Sequence, residues 1–199
     1  MHLLVVRHAQ PHDETETGGE GDPPLTDLGH AQAQAVCSYL KTQGVDHIVA
    51  SPMVRARQTG EPLALDLGME IEFDDDLKEA GWQLGKYIRA EENAAQYVDL
   101  LTKDPDYFYK PEGREVFSER IMRSFTRVAT ENPGRTVAVF CHGMVTTTLV
   151  ANALGIVNGP SDLHPTYSSI SRVQVSPERG LWSVRSFNEA MHLANVGIR

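Results

Sequence analysis

Arg7-His8 closes the apolar run Leu3 to Val6 in the opening stretch MHLLVVRHAQ. Such a run reads as a buried strand, which ordinarily stops in Gly, Asp, Asn or Ser rather than in two handlers of anions and protons. A similar ending recurs late in the chain, where TVAVFCHG places His142-Gly143 after another apolar run. Between the two, SPMVRARQTGEPLALDLG carries Arg55 in a helix that Ser51 caps and Pro52 begins. A neutral imidazole, with an ordinary pKa of about 6.5, is a competent nucleophile, and flanking guanidinium groups favour its neutral form. A guanidinium about 4 Å from an anion gains roughly 4 kcal/mol at an effective dielectric near 20, before desolvation.

Two histidines and two arginines in one crevice suit a phosphate monoester. His8 could attack phosphorus directly, and water would then hydrolyse the phosphohistidine. Arg7, Arg55, His142 and Gly143 form the expected phosphate-binding set, with the helix N-termini after Ser51 and after His142 adding backbone N–H donors. Such a set can hold the developing charge on the equatorial oxygens without a metal or cofactor. The leaving alkoxide needs a proton from a carboxylic acid that stays protonated near neutrality, and Glu79 is the candidate.

The elements that must position these groups alternate between strand and helix. After the first strand, QPHDETETGGEGDPP reads as a mobile loop beside the site. LTDLGHAQAQAVCSYLKTQG reads as a helix capped by Thr26 or Asp27, with Ala31, Ala35, Val36, Tyr39 and Leu40 inward and Gly44 at its end. HIVAS is a short strand before the Arg55 helix. Residues 70 to 113 read as an insertion covering the pocket, with the solvated acidic run Asp74 to Asp76, a helix near RAEENAAQYVDLLTK and aromatics that either line the pocket or pack together. Val116, Phe117, Ile121, Met122, Phe125, Val128 and Ala129 mark a further helix. MVTTTLVANALG is the helix after the second histidine, and SISRVQV with LWSVRSF reads as a terminal β-hairpin. The expected fold is α/β, a three-layer sandwich with a mostly parallel central sheet and helices on both faces, in which ligands gather beyond the strands' carboxyl ends.

At 199 residues the chain suits one domain, 1–199. Eighteen lysines and arginines against 27 aspartates and glutamates give a net charge of −9, which argues against nucleic-acid and anionic-membrane partners. Any anion must therefore be drawn by a local basic pocket. Cys37 and Cys141 have no CxxC spacing and fit a reducing cytoplasm, and no apolar run long enough to span a bilayer appears. The terminal hairpin offers an edge strand through which a homodimer could pair.

VVRHA, SPMVRARQT, CHG and FNEAMHL, in this order over roughly residues 3 to 192, resemble the histidine phosphatase superfamily, also called the phosphoglycerate mutase-like family. The resemblance implies that His8 is phosphorylated, that Arg7, Arg55 and His142 bind the phosphoryl group and that Glu79 donates the proton. It also implies a metal-independent phosphomonoesterase acting on a small phosphate ester. Ala9 stands where the family most often has Gly, and the Ser, Trp and Asn common after the first histidine in mutases are absent. Around Glu79, LKEAGWQLG resembles the family's Leu-x-Glu with shortened glycine spacing.

Blander readings exist for each part. Arg7-His8 alone could solvate a strand end, His142 could be a core histidine, and Arg57 reads as a surface residue because i and i+2 do not share a helix face. A cysteine phosphatase would need Arg six residues after Cys141, where Thr147 stands, and Pro11 disfavours a helical His8/His12 metal pair. The rival functions are a cofactor-dependent phosphoglycerate mutase and a binding module for phosphorylated ligands or a protein.

Overall fold

The run Leu3 to Val6 lies in strand β1 (His2–Arg7) of a computed structural model that describes residues 1–13, 21–89, 92–156 and 163–196. Successive side chains of a strand point to opposite faces, so an unbroken apolar run demands cover on both. Leu3 and Val5 enter one apolar cluster and Leu4 and Val6 the other. The remaining strands are β2 (His47–Ala50), β3 (Ile71–Phe73), β4 (Thr136–Cys141), β5 (Ile170–Ser176) and β6 (Leu181–Glu189). The helices are α1 (Asp27–Leu40), α2 (Val54–Leu67), α3 (Ala94–Lys103), α4 (Arg114–Glu131) and α5 (Gly143–Ala153).

The sheet runs β3-β2-β4-β1-β5-β6, its first four strands parallel and the β5–β6 hairpin antiparallel at one edge. Val36, Leu40 and Leu63 of α1 and α2 close over Leu4 and Val6. Phe117, Ile121 and Phe125 of α4, with Val145 and Leu149 of α5, close over Leu3 and Val5. The expected α/β class, with a mostly parallel sheet between helical layers, is thus observed. Among the described residues no helix is long and apolar enough to cross a membrane.

Register explains how residues distant in sequence meet. Arg7 pairs with Cys141, and Ala50 with Phe140. His8, Ser51 and His142 therefore leave their strands at nearly the same level, at the carboxyl ends. His8 N–H donates to the Cys141 carbonyl at 2.8 Å, and Ser51 N–H to that of Phe140 at 2.9 Å.

Several local details differ from the sequence expectation. Helix α1 is capped by the Thr26 side chain as expected, but it stops at Leu40, and Gly44 sits in the following turn with φ +67°. Its buried face holds Gly29, Gln32, Ala33, Val36, Cys37 and Leu40 rather than Ala31, because the Gln32 side chain accepts the Gln10 backbone N–H at 2.9 Å. Helix α2 starts at Val54, not at Pro52, since the Ser51 hydroxyl is engaged elsewhere. On α4, Val116 is exposed while Arg120 and Ser124 join the buried face.

Asp74 to Asp76 are not simply solvated. Asp74 accepts from Ser124 at 2.6 Å and from Arg127 at 2.9 Å, and Asp76 takes both prongs of Arg123 at 2.8 Å. Within 70–113, Ile71–Phe73 adds an unexpected edge strand, and α3 forms where a helix was expected. Residues 14–20, the middle of the expected mobile loop, lie outside the described residues.

Candidate active site

The five strand-end and helix residues picked out by type and spacing come together. Arg7, His8, Arg55, Glu79 and Gly143 line a cavity of about 660 Å³. His142 sits one layer deeper and fully buried, its ring centroid 5.2 Å from that of His8. Among the described residues no group of three or more His, Cys, Asp or Glu is arranged to hold a metal ion.

The tautomer of His8 follows from its one local bond. Nδ1 lies 2.8 Å from the Ala9 carbonyl oxygen, an obligatory acceptor, so Nδ1 carries the proton and donates it. The neutral ring then holds its lone pair on Nε2. Burial, followed by the charges of Arg55 and Arg7, keeps the imidazole well below its ordinary protonation range. Ala9 is not in the left-handed region, so alanine takes this position without strain. Its N–H donates to the Thr59 hydroxyl at 2.9 Å, and that hydroxyl donates to the Arg55 carbonyl at 2.7 Å. The spacing from Arg55 to Thr59 is i to i+4, so one helix face serves both the clamp and the strand end.

The ring of His142 is bonded to Ser51. The Ser51 hydroxyl lies 2.8 Å from Nε2 and accepts a weak bond from Met53 N–H at 3.4 Å. When the Ser51 proton goes to Nε2, Nδ1 carries the ring proton and is a donor. That buried Nδ1 has no hydrogen-bond partner among the described residues, and neither does Nε of Arg55. Buried N–H groups are rarely left unsatisfied. Burial and the charge of Arg55 hold His142 neutral as well.

The arginines are held rigidly. Nη1 of Arg7 donates to the Pro165 carbonyl at 2.6 Å, and its guanidinium lies 4.2 Å from the Tyr167 ring centroid. Arg55 lies 4.7 Å from the Tyr87 ring centroid, and its Nη1 pairs with Asp22 at 3.0 Å. The two phenol oxygens stand 3.3 Å apart, tying these aromatic walls together around His8.

Helix N-termini are expected to donate to the bound anion, and one N–H at the start of each of these two helices already meets a carboxylate of the chain. The Asp22 carboxylate accepts the Val54 N–H at 2.9 Å, and Glu79 Oε2 accepts the Met144 N–H at 3.1 Å. A carboxylate thus takes the first N–H of α2, that of Val54, and another the second N–H of α5, that of Met144. A Cβ at Gly143 would come 3.5 Å from Arg7 Nε, an ordinary van der Waals contact.

Glu79 also accepts the Ala80 N–H at 2.9 Å through Oε1. Burial raises its pKa; the two backbone bonds and the arginines work against that rise without cancelling it. An approaching phosphate dianion would push it further the same way. Arg120 holds the approach to Glu79, donating to the Asp76 and Lys78 carbonyls at 2.6 and 2.7 Å and forking onto Glu112. Cys141 is no rival nucleophile, because burial pushes its thiol up to about 12.

Sequence reasoning did not find Asp22, Tyr167 or Arg120. Asp22 directly precedes Pro23-Pro24 in a stretch that reads only as loop, and nothing local shows that it meets a helix 32 residues on. The late FNEAMHL stretch has a structural explanation. Asn188 Oδ1 accepts the Thr166 N–H at 2.8 Å, and His192 meets the Ser168 carbonyl at 2.9 Å. Together they hold the segment that supplies Pro165 to Arg7 and Ser168 N–H to the Arg7 and His8 carbonyls.

The chain is similar to known proteins along nearly all of its length. The chain is 27% identical over 197 residues to the "uncharacterized phosphatase PhoE" of Bacillus subtilis, covering 96% of both chains. It is 28% identical to the "probable phosphoglycerate mutase GpmB" of Cronobacter sakazakii, covering 97% of this chain and 95% of that one. Its fold matches a phosphoserine phosphatase mutant from Entamoeba histolytica, solved with phosphoserine, at a TM-score of 0.76 and 22% identity over 96% of this chain and 98% of that one. The sequence description of the histidine phosphatase superfamily (branch 1) matches residues 3–190, so the chain belongs to that superfamily.

Proposed function

We propose that this chain hydrolyses phosphomonoesters through a phosphohistidine on His8, as one domain whose segment 70–113 covers the site. The observation that carries the reading is the His8 Nδ1–H bond to Ala9, which leaves a neutral Nε2 lone pair on the wall of a cavity that also holds Arg7 and Arg55. Nε2 attacks phosphorus, the bond from phosphorus to the ester oxygen breaks, and the proton on Glu79 passes to the departing alkoxide. Water then attacks the phosphohistidine and gives a proton to the Glu79 carboxylate. Phosphate leaves, and both residues return to their starting forms. Arg7, Arg55 and the Nδ1–H of His142 hold the equatorial oxygens throughout. No metal ion or cofactor enters these steps.

The relative called a probable mutase keeps a second reading in play, in which the phosphoryl group returns to phosphoglycerate instead of to water. One experiment tests both. Phosphate release from a panel of esters by the protein and by His8→Ala, with and without a chelator, is expected to be chelator-resistant and lost in the variant. Wild-type turnover by His8→Ala would overturn the proposal, and exchange between 2- and 3-phosphoglycerate without phosphate release would replace it with the mutase reading.

A further inference from the structure

Helix α3 carries Ala94, Tyr97, Val98 and Leu101 at i, i+3, i+4 and i+7, the spacing of a single apolar face. A ten-residue helix is marginal in water unless that face is covered. Yet no residue of α3 is buried by the rest of the protein, and Val98 is 61% exposed. The uncovered face lines the same cavity that His8 and Arg55 line. Trp82, 41% exposed, lines it too, and so does Phe108, whose ring stacks on Tyr97 with centroids 5.7 Å apart.

The Arg114 charge on this wall is committed within the protein. Arg114 pairs with Asp106, donates to the Pro105 carbonyl and lies 4.2 Å from the Tyr109 ring centroid. Lys86 is exposed to solvent. A cavity of about 660 Å³ falls within the roughly 300–1,000 Å³ of sites that enclose drug-sized ligands. A three-carbon phosphoglycerate would leave most of it empty, with the α3 face still bare.

We infer that the alcohol released from the substrate is bulky and predominantly apolar, and that it lies against the α3 face while its phosphate sits between Arg7 and Arg55. The inference rests on the phosphomonoesterase reading for its orientation, with phosphate at the His8 end. The ligand covers the helix face, so each added methylene is withdrawn from water.

The test separates the two claims. Titration calorimetry of the whole protein with n-alkylphosphonates from methyl to octyl, below their aggregation concentrations, measures binding without turnover. The dissociation constant is expected to tighten up to about fourfold per methylene, with a negative heat-capacity change. The kcat/KM of the matching alkyl phosphates rises in parallel. Val98→Asp, on an exposed position that folding tolerates, is expected to flatten the dependence on chain length, and Leu101→Asp likewise. Affinity independent of chain length overturns the inference whatever the turnover, and an unchanged slope in both variants overturns the assignment to α3. Affinity that rises with chain length while no phosphate is released upholds the apolar ligand and overturns the hydrolase reading instead.

Discussion

Glu79→Gln separates a proton donor from a structural carboxylate, provided the leaving group is varied. Both carboxyl oxygens of Glu79 accept backbone N–H groups, from Ala80 at 2.9 Å and from Met144 at 3.1 Å. Glutamine has one acceptor oxygen, so its NH2 must face one of those donors. The unsatisfied contact costs about 1–3 kcal/mol and slows every substrate alike. Loss of the transferable proton costs a further ~10²–10⁴-fold, or about 3–5 kcal/mol, but only where the leaving oxygen needs a proton. An alkyl phosphate bears both losses and p-nitrophenyl phosphate only the first. The assay is kcat/KM for both esters, which reports the steps up to phosphohistidine formation and excludes its hydrolysis. The alkyl-to-aryl ratio is expected to fall by about 10²–10⁴.

The pH profile gives a second readout. Wild-type kcat/KM for the alkyl ester falls as pH rises through the raised pKa of Glu79 and falls again as pH drops through the lowered pKa of His8. The variant loses the alkaline fall and keeps the acid one. Equal losses for both esters, or an alkaline limb that survives the Glu79→Gln substitution, would refute the role given to Glu79.

Asp22→Ala removes both the cap on Val54 and the partner of Arg55, so it is expected to cost about 1–3 kcal/mol in denaturant unfolding and to raise KM. Asp22→Asn keeps the cap and should recover at least half of that stability; equal losses in the two variants would count against capping. Gly21→Ala places a Cβ 2.7 Å from the Gly85 carbonyl carbon and 2.8 Å from Lys86 N at a φ of +69°, so thermal unfolding should show a loss above the ~1–2 kcal/mol of left-handed strain alone. His8 and His142 are both neutral in the fold, whereas the unfolded chain binds protons below about pH 6.5. Stability should therefore fall from pH 7 to pH 5 by up to about 2 kcal/mol per histidine, partly offset by Glu79, whose raised pKa acts in the opposite sense. Calorimetric melting temperatures that stay level or rise over this interval would show that the histidines are not held neutral.

The reacting end of the site was legible because its signals are local and its assembly is a matter of register. A buried strand reads from four apolar residues, and Arg7-His8 and His142 are conspicuous because they follow such runs. Parallel pairing then brings the ends level without further information. What failed depended on partners far along the chain. Ser51-Pro52 looks like a helix start, but Ser51 serves His142 from 91 residues away, and α2 receives its cap from Asp22 instead. The inward face of α1 was misjudged where a glutamine, not an alanine, satisfies the Gln10 backbone. On α4 a buried arginine reads as a surface residue until Glu112 and two carbonyls are seen to satisfy it.

The same distinction bears on anion binding in a chain of net charge −9. A helix N-terminus with free N–H groups is a general anion site, open to any phosphate or carboxylate. In this chain Asp22 takes the Val54 N–H at the start of α2, and Glu79 the Met144 N–H, the second of α5. Beside these helix starts stand guanidinium groups braced by Tyr87, Tyr167 and Pro165, and the imidazole of His142 bonded to Ser51. These donors have fixed directions. They reward a tetrahedral group seated against His8 more than a carboxylate passing the helix ends. The N–H groups that hold Glu79 orient its carboxyl, while burial raises its pKa. In the proposed mechanism, selectivity for the phosphoryl group and the supply of a proton to the leaving oxygen both draw on one arrangement, in which a carboxylate of the chain meets an N–H at each helix start.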